Sequence, residues 1–326
     1  MRSMGGALAV IIAIAAPTAV AVELEGKIAR VGRVYTGAPS TTTRGFGAFT
    51  ERLRELGWIE GRNLVIESRW AEGRDERFPG LIRDLIERKV DVIVITGTAG
   101  AVAAKQTTRT VPIVVAGMGD PVASGLVQTL ARPGGNLTGF SVQNAEGMPG
   151  KWLELLKGSV PRVTDVAVLL NSKNPLAAVY EKRFKEAASA QGLKIRFLPI
   201  AREEELDRVF RQAREQAHAA VVVPEAFTMY HRSQITRLAA KYRLPTIYGL
   251  LEFADVGGFM AYGVDMSVVW QGTAVYVDKI LRGARPAEMP IEQPTQFRLT
   301  VNLNTAKALG LTIPESILLR ADEVIQ

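Results

Sequence analysis

The sequence predicts an α/β protein made of two doubly wound parallel-sheet lobes in succession, joined by a multi-strand hinge. Three observations carry this expectation. Val90–Ile95 and Val111–Ala116 are dense in β-branched apolar residues, as strands buried on both faces must be. Each is followed at once by small or polar residues and then by helix-like sequence, the rhythm of β-α-β units. That alternation starts afresh at Asp165, and a tail of one further helix and strand leaves enough chain to cross back between the lobes.

Length and composition set the bounds. At 326 residues the chain exceeds one ordinary core and suits two domains of roughly 100–200 residues each. The net charge of +7 is spread along helical stretches such as Arg202–Glu215, where opposite charges pair at i, i+3 and i+4 on a solvated face. No basic block interleaves with aromatics, which argues against nucleic acid as a partner. Residues 1–21 read as a signal peptide: Arg2 is their only charge, Ala7–Ala16 is apolar, and Ala19-Val20-Ala21 suits cleavage. Pro17-Thr18 interrupts the apolar run short of the roughly 18 residues a membrane span needs, so no integral membrane segment is expected in the mature chain. There is no cysteine, hence no disulfide and no lipid on an N-terminal Cys. The mature protein is expected free in the periplasm, as a monomer.

Ile28–Tyr35 reads as the first strand and ends in a loop holding Gly37, Pro39 and Ser40–Thr43. Phe49, Leu53 and Leu56 fall on one helical face, which Gly57 stops. Leu64–Trp70 alternates as a strand, and Arg74–Lys89 is helical with Phe78, Leu81, Ile82, Leu85 and Ile86 on one face. A helix over Ala99–Thr108 lies between the two organising strands, and Leu137–Val142 follows the tight turn Pro133-Gly134-Gly135-Asn136. Met148–Lys157 is a helix. The second alternation has strands Val166–Leu170, Lys194–Pro199, Ala219–Val223, Pro245–Tyr248 and Phe259–Gly263. Its helices are Leu176–Gln191, Glu203–Gln216, Tyr230–Tyr242 and a short one ending near Gly257. The tail adds helix Val268–Arg282, the Pro-rich connector Pro286–Pro294, strand Phe297–Leu303 and a short helix stopped by Gly310. Residues 28–145 with about 267–290 are expected to form one lobe, and 146–266 with about 291–326 the other.

Ligands of such sheets sit at the carboxyl ends of the strands. Catalysis is poorly supported there. His218 and His231 are the only histidines, and no Gly-x-Ser-x-Gly elbow, phosphate loop, cysteine nucleophile or His/Cys metal cluster is present. No cofactor is expected. Binding of a small molecule fits better. Thr98 is expected to cap the helix that follows, so that the free amides after it, with the helix dipole, suit a carboxylate, and Gly97, Thr98 and Ala99 are candidate ligand-binding residues at this strand end. The alternative is that Thr98 only caps its helix. Tyr35, Thr36 and Thr42 come from the first strand's end and loop. In the second lobe Asn171 and Asn174, then Pro224 and Glu225, then Tyr248 and Glu252 stand at successive strand ends. Asp120, Glu225 or Glu252 suits a ligand ammonium, and Tyr35, Phe227, Tyr248 or Tyr262 an apolar or aromatic surface.

Several long blocks are distinctive: R-E-L-G-W-I-E-G-R-N-L at 54–64, D-V-I-V-I-T-G-T at 91–98, G-D-P-V-A-S-G-L-V at 119–127 and A-R-P-G-G-N-L-T-G at 131–139. K-W-L-E-L-L-K at 151–157, G-G-F-M-A-Y-G at 257–263, Y-V-D-K-I-L-R-G at 276–283 and N-L-N-T-A-K-A-L-G-L-T-I-P at 302–314 continue the series. From about Ile28 to Gln326 the chain resembles the ABC-transporter substrate-binding protein family that includes tryptophan- and tyrosine-binding components of bacterial uptake systems. The resemblance implies a type I periplasmic-binding fold, a cleft that closes on its ligand, and delivery to a membrane permease and its ATPase. It leaves the ligand open among an aromatic or other amino acid and a small organic acid. An enzyme on the same scaffold and the ligand-sensing domain of a receptor are the alternatives.

Overall fold

The computed structural model describes residues 28–39, 44–142 and 147–326. The expected signal peptide, Thr42 and part of the loop after the first strand lie outside the described residues.

The first sheet orders its five parallel strands β2-β1-β3-β4-β5. These are β1 (Ala29–Tyr35), β2 (Leu64–Trp70), β3 (Val92–Thr96), β4 (Ile113–Met118) and β5 (Leu137–Ser141). Helices α1 (Arg44–Glu55), α2 (Phe78–Glu87) and α3 (Gly97–Thr107) connect them. In β3 and β4 nearly every residue is buried, because helices cover both faces. The second sheet has seven strands in the order β12-β11-β10-β9-β8-β6-β7. Its parallel body comprises β6 (Asp165–Asn171), β7 (Lys194–Ile200), β8 (Ala219–Val222), β9 (Thr246–Tyr248) and β10 (Met260–Val264). The helices here are α4 (Met148–Ser159), α5 (Ala177–Gln191), α6 (Leu206–Gln216), α7 (Ala226–Tyr230) and α8 (Arg232–Lys241). Reading 7-6-8-9-10 beside 2-1-3-4-5 shows one doubly wound order used twice. That order changes direction between β1 and β3 and again between β6 and β8, and such switch points are where ligand crevices open.

The tail is shared. Helix α9 (Met266–Leu281) returns to the first sheet and packs on α1 and β4. Trp58 donates its indole N–H to Asp278 at 2.8 Å, and Arg282 holds the same carboxylate at 2.7 Å. The connector then runs beside β5, where Ser141 N–H bonds the Glu292 carbonyl and Glu292 N–H the Gly139 carbonyl. Strand β11 (Phe297–Asn302) joins the second sheet antiparallel to β10. Helices α10 (Leu303–Leu309) and α11 (Glu315–Leu318) and the edge strand β12 (Glu323–Ile325) close the chain. In the second core Trp152 is fully buried, stacks on Phe184 at 6.1 Å and donates its N–H to the Tyr262 carbonyl at 2.9 Å.

The structure departs from the expected elements in a few places. Arg74–Lys89 and Glu203–Gln216 each open with a 3₁₀ turn before the α-helix. The expected helix Tyr230–Tyr242 is instead α7 and α8, separated at His231. Glu225 starts the first of them through a capping box with Thr228, earlier than apolar periodicity shows. Elements α11 and β12 were not expected, being too short to display a period.

Gly139 on β5 adopts φ 134°, and a Cβ there would lie 2.3 Å from the Val115 carbonyl oxygen of the neighbouring strand. Both the conformation and the space require glycine. Gly139→Ala is expected to destabilise the fold by roughly 2–4 kcal/mol, read as a lower denaturant midpoint.

Candidate ligand-binding cleft

The strand ends of the two sheets face each other across a cavity of about 170 Å³. Helix α3 starts directly from β3 at Gly97, whose φ of 74° makes the turn without a loop. The helix cap is Thr96, not the expected Thr98. Thr98 serves a neighbouring strand instead. Its hydroxyl accepts the Gly119 N–H at 2.9 Å, which fixes the end of β4 beside the start of α3. Thr96 and Thr36 join hydroxyls at 3.1 Å and tie the β1 loop to the same point. Gly97, Thr98 and Ala99 all line the cavity, and the first-turn amides of a helix have no carbonyl within it to bond. Opposite them stands the second lobe: a Cβ on Gly97 would touch that of Ala226 at 3.5 Å.

One wall is aromatic. Tyr35 and Trp70 are register partners on β1 and β2, so their rings stack, with centroids 6.3 Å apart. Trp270 of α9 lies against Tyr35 at 5.7 Å and against the edge of Phe49 at 5.8 Å. Buried Arg33 lies over the Tyr35 and Phe49 rings, 5.4 Å from each centroid. Met118, Met229 and Met266 supply soft apolar surface between the lobes. The Trp70 indole nitrogen is buried with no hydrogen-bond partner.

The charged lining is mostly acidic: Asp75, Glu225 and Glu252, with Arg232 the one basic lining group among the described residues. The segment after β2 folds back on β1, where Ala71 N–H bonds the Tyr35 carbonyl and Gly73 N–H the Thr36 carbonyl, both at 2.7 Å. This swings Asp75 into the cleft. Burial, then the charge of Glu76, raises the Asp75 carboxyl above its ordinary range. Burial, reinforced by Asp75, pushes Glu225 up to about 8, while hydrogen bonds from Asn171 and the Thr228 amide oppose the shift. Oxygen Oε1 of Glu225 is buried and has no partner among the described residues. Burial also raises Glu252 to about 7, and its buried Oε2 likewise has no partner among the described residues.

Of the residues expected from sequence, Tyr35, Thr36, Gly97, Thr98 and Ala99 line the cavity from the first lobe. Asn174, Pro224, Glu225 and Glu252 line it from the second. Four do not. Asp120 binds the Val122 and Ala123 amides of its own turn at 3.0 and 2.9 Å and pairs with Arg183 of α5 at 3.4 Å. Asn171 stands behind Glu225 and accepts the Lys173 N–H. Tyr248 is a core residue stacked on Phe253, and Tyr262 packs on Phe297. Phe227 is also buried, against His231. Sequence reasoning missed Trp70 and Asp75, although both follow the strand-end rule at β2. It missed Arg232, Met266 and Trp270 for want of any local signal.

Two similar lobes closing a cavity at their switch points define the periplasmic-binding-protein fold, built to hold a solute between them. The chain belongs to the family described as ABC transporter substrate binding protein, whose sequence profile matches residues 38–325. A tyrosine-binding protein of Clostridioides difficile is 21% identical over 263 residues, which is 81% of this chain and 75% of that protein. A conserved domain protein from Vibrio cholerae has TM-score 0.85 at 24% identity, covering 91% of this chain and 100% of that one. An ABC domain in complex with L-Trp from Streptococcus pneumonia has TM-score 0.84 at 24% identity, covering 91% and 99%. Among the described residues no helix is long and apolar enough to cross a membrane.

A raised carboxyl binds its proton more tightly in the folded state, so folding stability falls as pH climbs from the unfolded value towards the folded one. For Glu225 that window runs from about 4.5 to about 8. Thermal melts of the ligand-free protein across this range are expected to show declining stability. Glu225→Gln should flatten the decline and melt higher than the unsubstituted protein at pH 8. An unchanged slope in the variant would contradict the burial of this carboxyl.

Proposed function

We propose that the chain is the extracytoplasmic solute-binding component of an ABC uptake transporter and that its cleft closes on an amino acid with a large apolar side chain. The observation that carries the reading is the pair Asp75 and Glu225, supplied by opposite lobes and coupled by charge, beside the first turn of α3. An ammonium between the two carboxyls relieves their mutual repulsion, and the ligand's carboxylate accepts the α3 amides. A plain organic acid brings no cation to that place, so the amino acid is favoured among the ligands the sequence left open. The rings of Tyr35, Trp70 and Trp270 supply the surface for the side chain. The tyrosine-binding relative and the L-Trp complex support the same class.

In this reading residues 1–21 direct export, the cleft is complete within one chain, and the bound solute passes unchanged to a membrane permease driven by its ATPase. Calorimetric titration and thermal shift with L-tryptophan, L-tyrosine and L-phenylalanine, each beside its deaminated acid, test it. An amino acid at about 100 times its dissociation constant should stabilise the protein by about 2.7 kcal/mol. Glu225→Gln should weaken amino-acid binding by about tenfold or more. Equal binding of the deaminated acids would show the ammonium site to be wrong.

A further inference from the structure

The acids of the cleft form two groups, and an α-amino acid has a single ammonium. The charge of Asp75 acts on Glu225, which precedes Ala226, the residue that approaches Gly97 where the two lobes meet at the start of α3. Glu252 belongs elsewhere. It lies on the turn after β9, one strand along from β8, and the charges acting on it are Asp255 of its own turn, Arg232 of α8 and Asp265 at the cap of α9. Asp265 is followed by Met266 and, one turn on, by Trp270, both lining the cavity. Glu252 thus shares the cavity lining with Met266 and Trp270 of α9, and Trp270 meets Tyr35. A ligand with its charged head at α3 and its ring on this wall brings the rim of that ring towards Glu252.

The state of the Glu252 carboxyl fits that position. Its own backbone amide bonds the carboxyl group, yet among the described residues the buried Oε2 has no partner. Arg232 does not fill the gap: no hydrogen bond reaches Oε2 among the described residues, and the Arg232 Nη1 donates to the Met229 carbonyl at 3.1 Å. A buried acceptor without a donor is costly, and native structures seldom leave one without a reason.

We propose that Glu252 is the specificity-determining residue of the cleft: its free oxygen accepts a hydrogen bond from an N–H or O–H at the far rim of an aromatic amino-acid side chain. The inference rests on the amino-acid reading above and narrows it. Rings with a rim donor, the phenol of tyrosine or the indole of tryptophan, are taken in preference to phenylalanine, which leaves Oε2 unpaired. A neutral carboxyl and a carboxylate both retain an acceptor oxygen, so the selection holds on either side of neutrality.

The test is a set of calorimetric titrations of L-tyrosine, L-tryptophan and L-phenylalanine into the unsubstituted protein, Glu252→Leu and Glu252→Gln. The unsubstituted protein is expected to prefer tyrosine or tryptophan to phenylalanine by about 10- to 100-fold. Glu252→Leu should bring that ratio close to one while phenylalanine binds at least as well as before. Glu252→Gln keeps an amide oxygen and should retain most of the preference. If the Leu variant fails to melt cooperatively, Glu252→Met serves the same comparison. A ratio unchanged in a folded Leu or Met variant overturns the inference and leaves the amino-acid reading intact. No preference in the unsubstituted protein overturns it too. If none of the three amino acids binds while their deaminated acids do, the ligand class falls and this inference with it.

Discussion

A parallel sheet covered by helices on both faces has few places for polar groups other than its strand ends. Both sheets of this chain are built that way, with β3, β4, β6 and β8 almost wholly buried. The chemistry of each lobe is thereby forced to one edge. The shared strand order then opens each edge at a defined point, and the two edges face one another. The start of α3, the cap residue Glu225 and the rings closing β1 and β2 all owe their placement to this arrangement. None would meet without it.

Burial decides the electrostatics of the space so formed. Asp75, Glu225 and Glu252 lose solvation, and among the described lining residues only Arg232 carries opposite charge. Left to themselves, such carboxyls hold their protons towards neutrality. A cationic group entering between the lobes restores their ordinary acidity and gains the attraction of a low-dielectric site. The Asp120–Arg183 pair and the close approach of Tyr230 to Gly73 join the lobes outside the charged centre, so contact at the rim does not depend on what lies within.

Much of this was legible from residues alone. The apolar runs marked the strands, helical periodicity marked most helices, and the rule that ligands gather at strand ends selected Tyr35, Gly97, Glu225 and Glu252. The rule failed where position along a strand says nothing about facing. Tyr248 is the last residue of β9, yet its ring points into the core. Asp120 follows β4 closely, yet its carboxylate is engaged by local amides and by Arg183. Trp270 could not be found at all, because its place depends on α9 crossing back over the first sheet. Thr98 shows a subtler limit. Its hydroxyl was read as serving the helix next in sequence, whereas a neighbouring strand claims it.

The return of α9 bears on the order in which the molecule can be built. The first sheet's five strands are all in place by Ser141, but the helix that covers one of its faces is Met266–Leu281. A chain emerging from its N-terminus first therefore leaves Val92, Val94 and Val114 without their full cover until more than a hundred further residues have followed. Helix α9 follows the parallel body of the second sheet in sequence yet packs on the first, and β11 then returns to the second. The first lobe matures only after most of the second has been made.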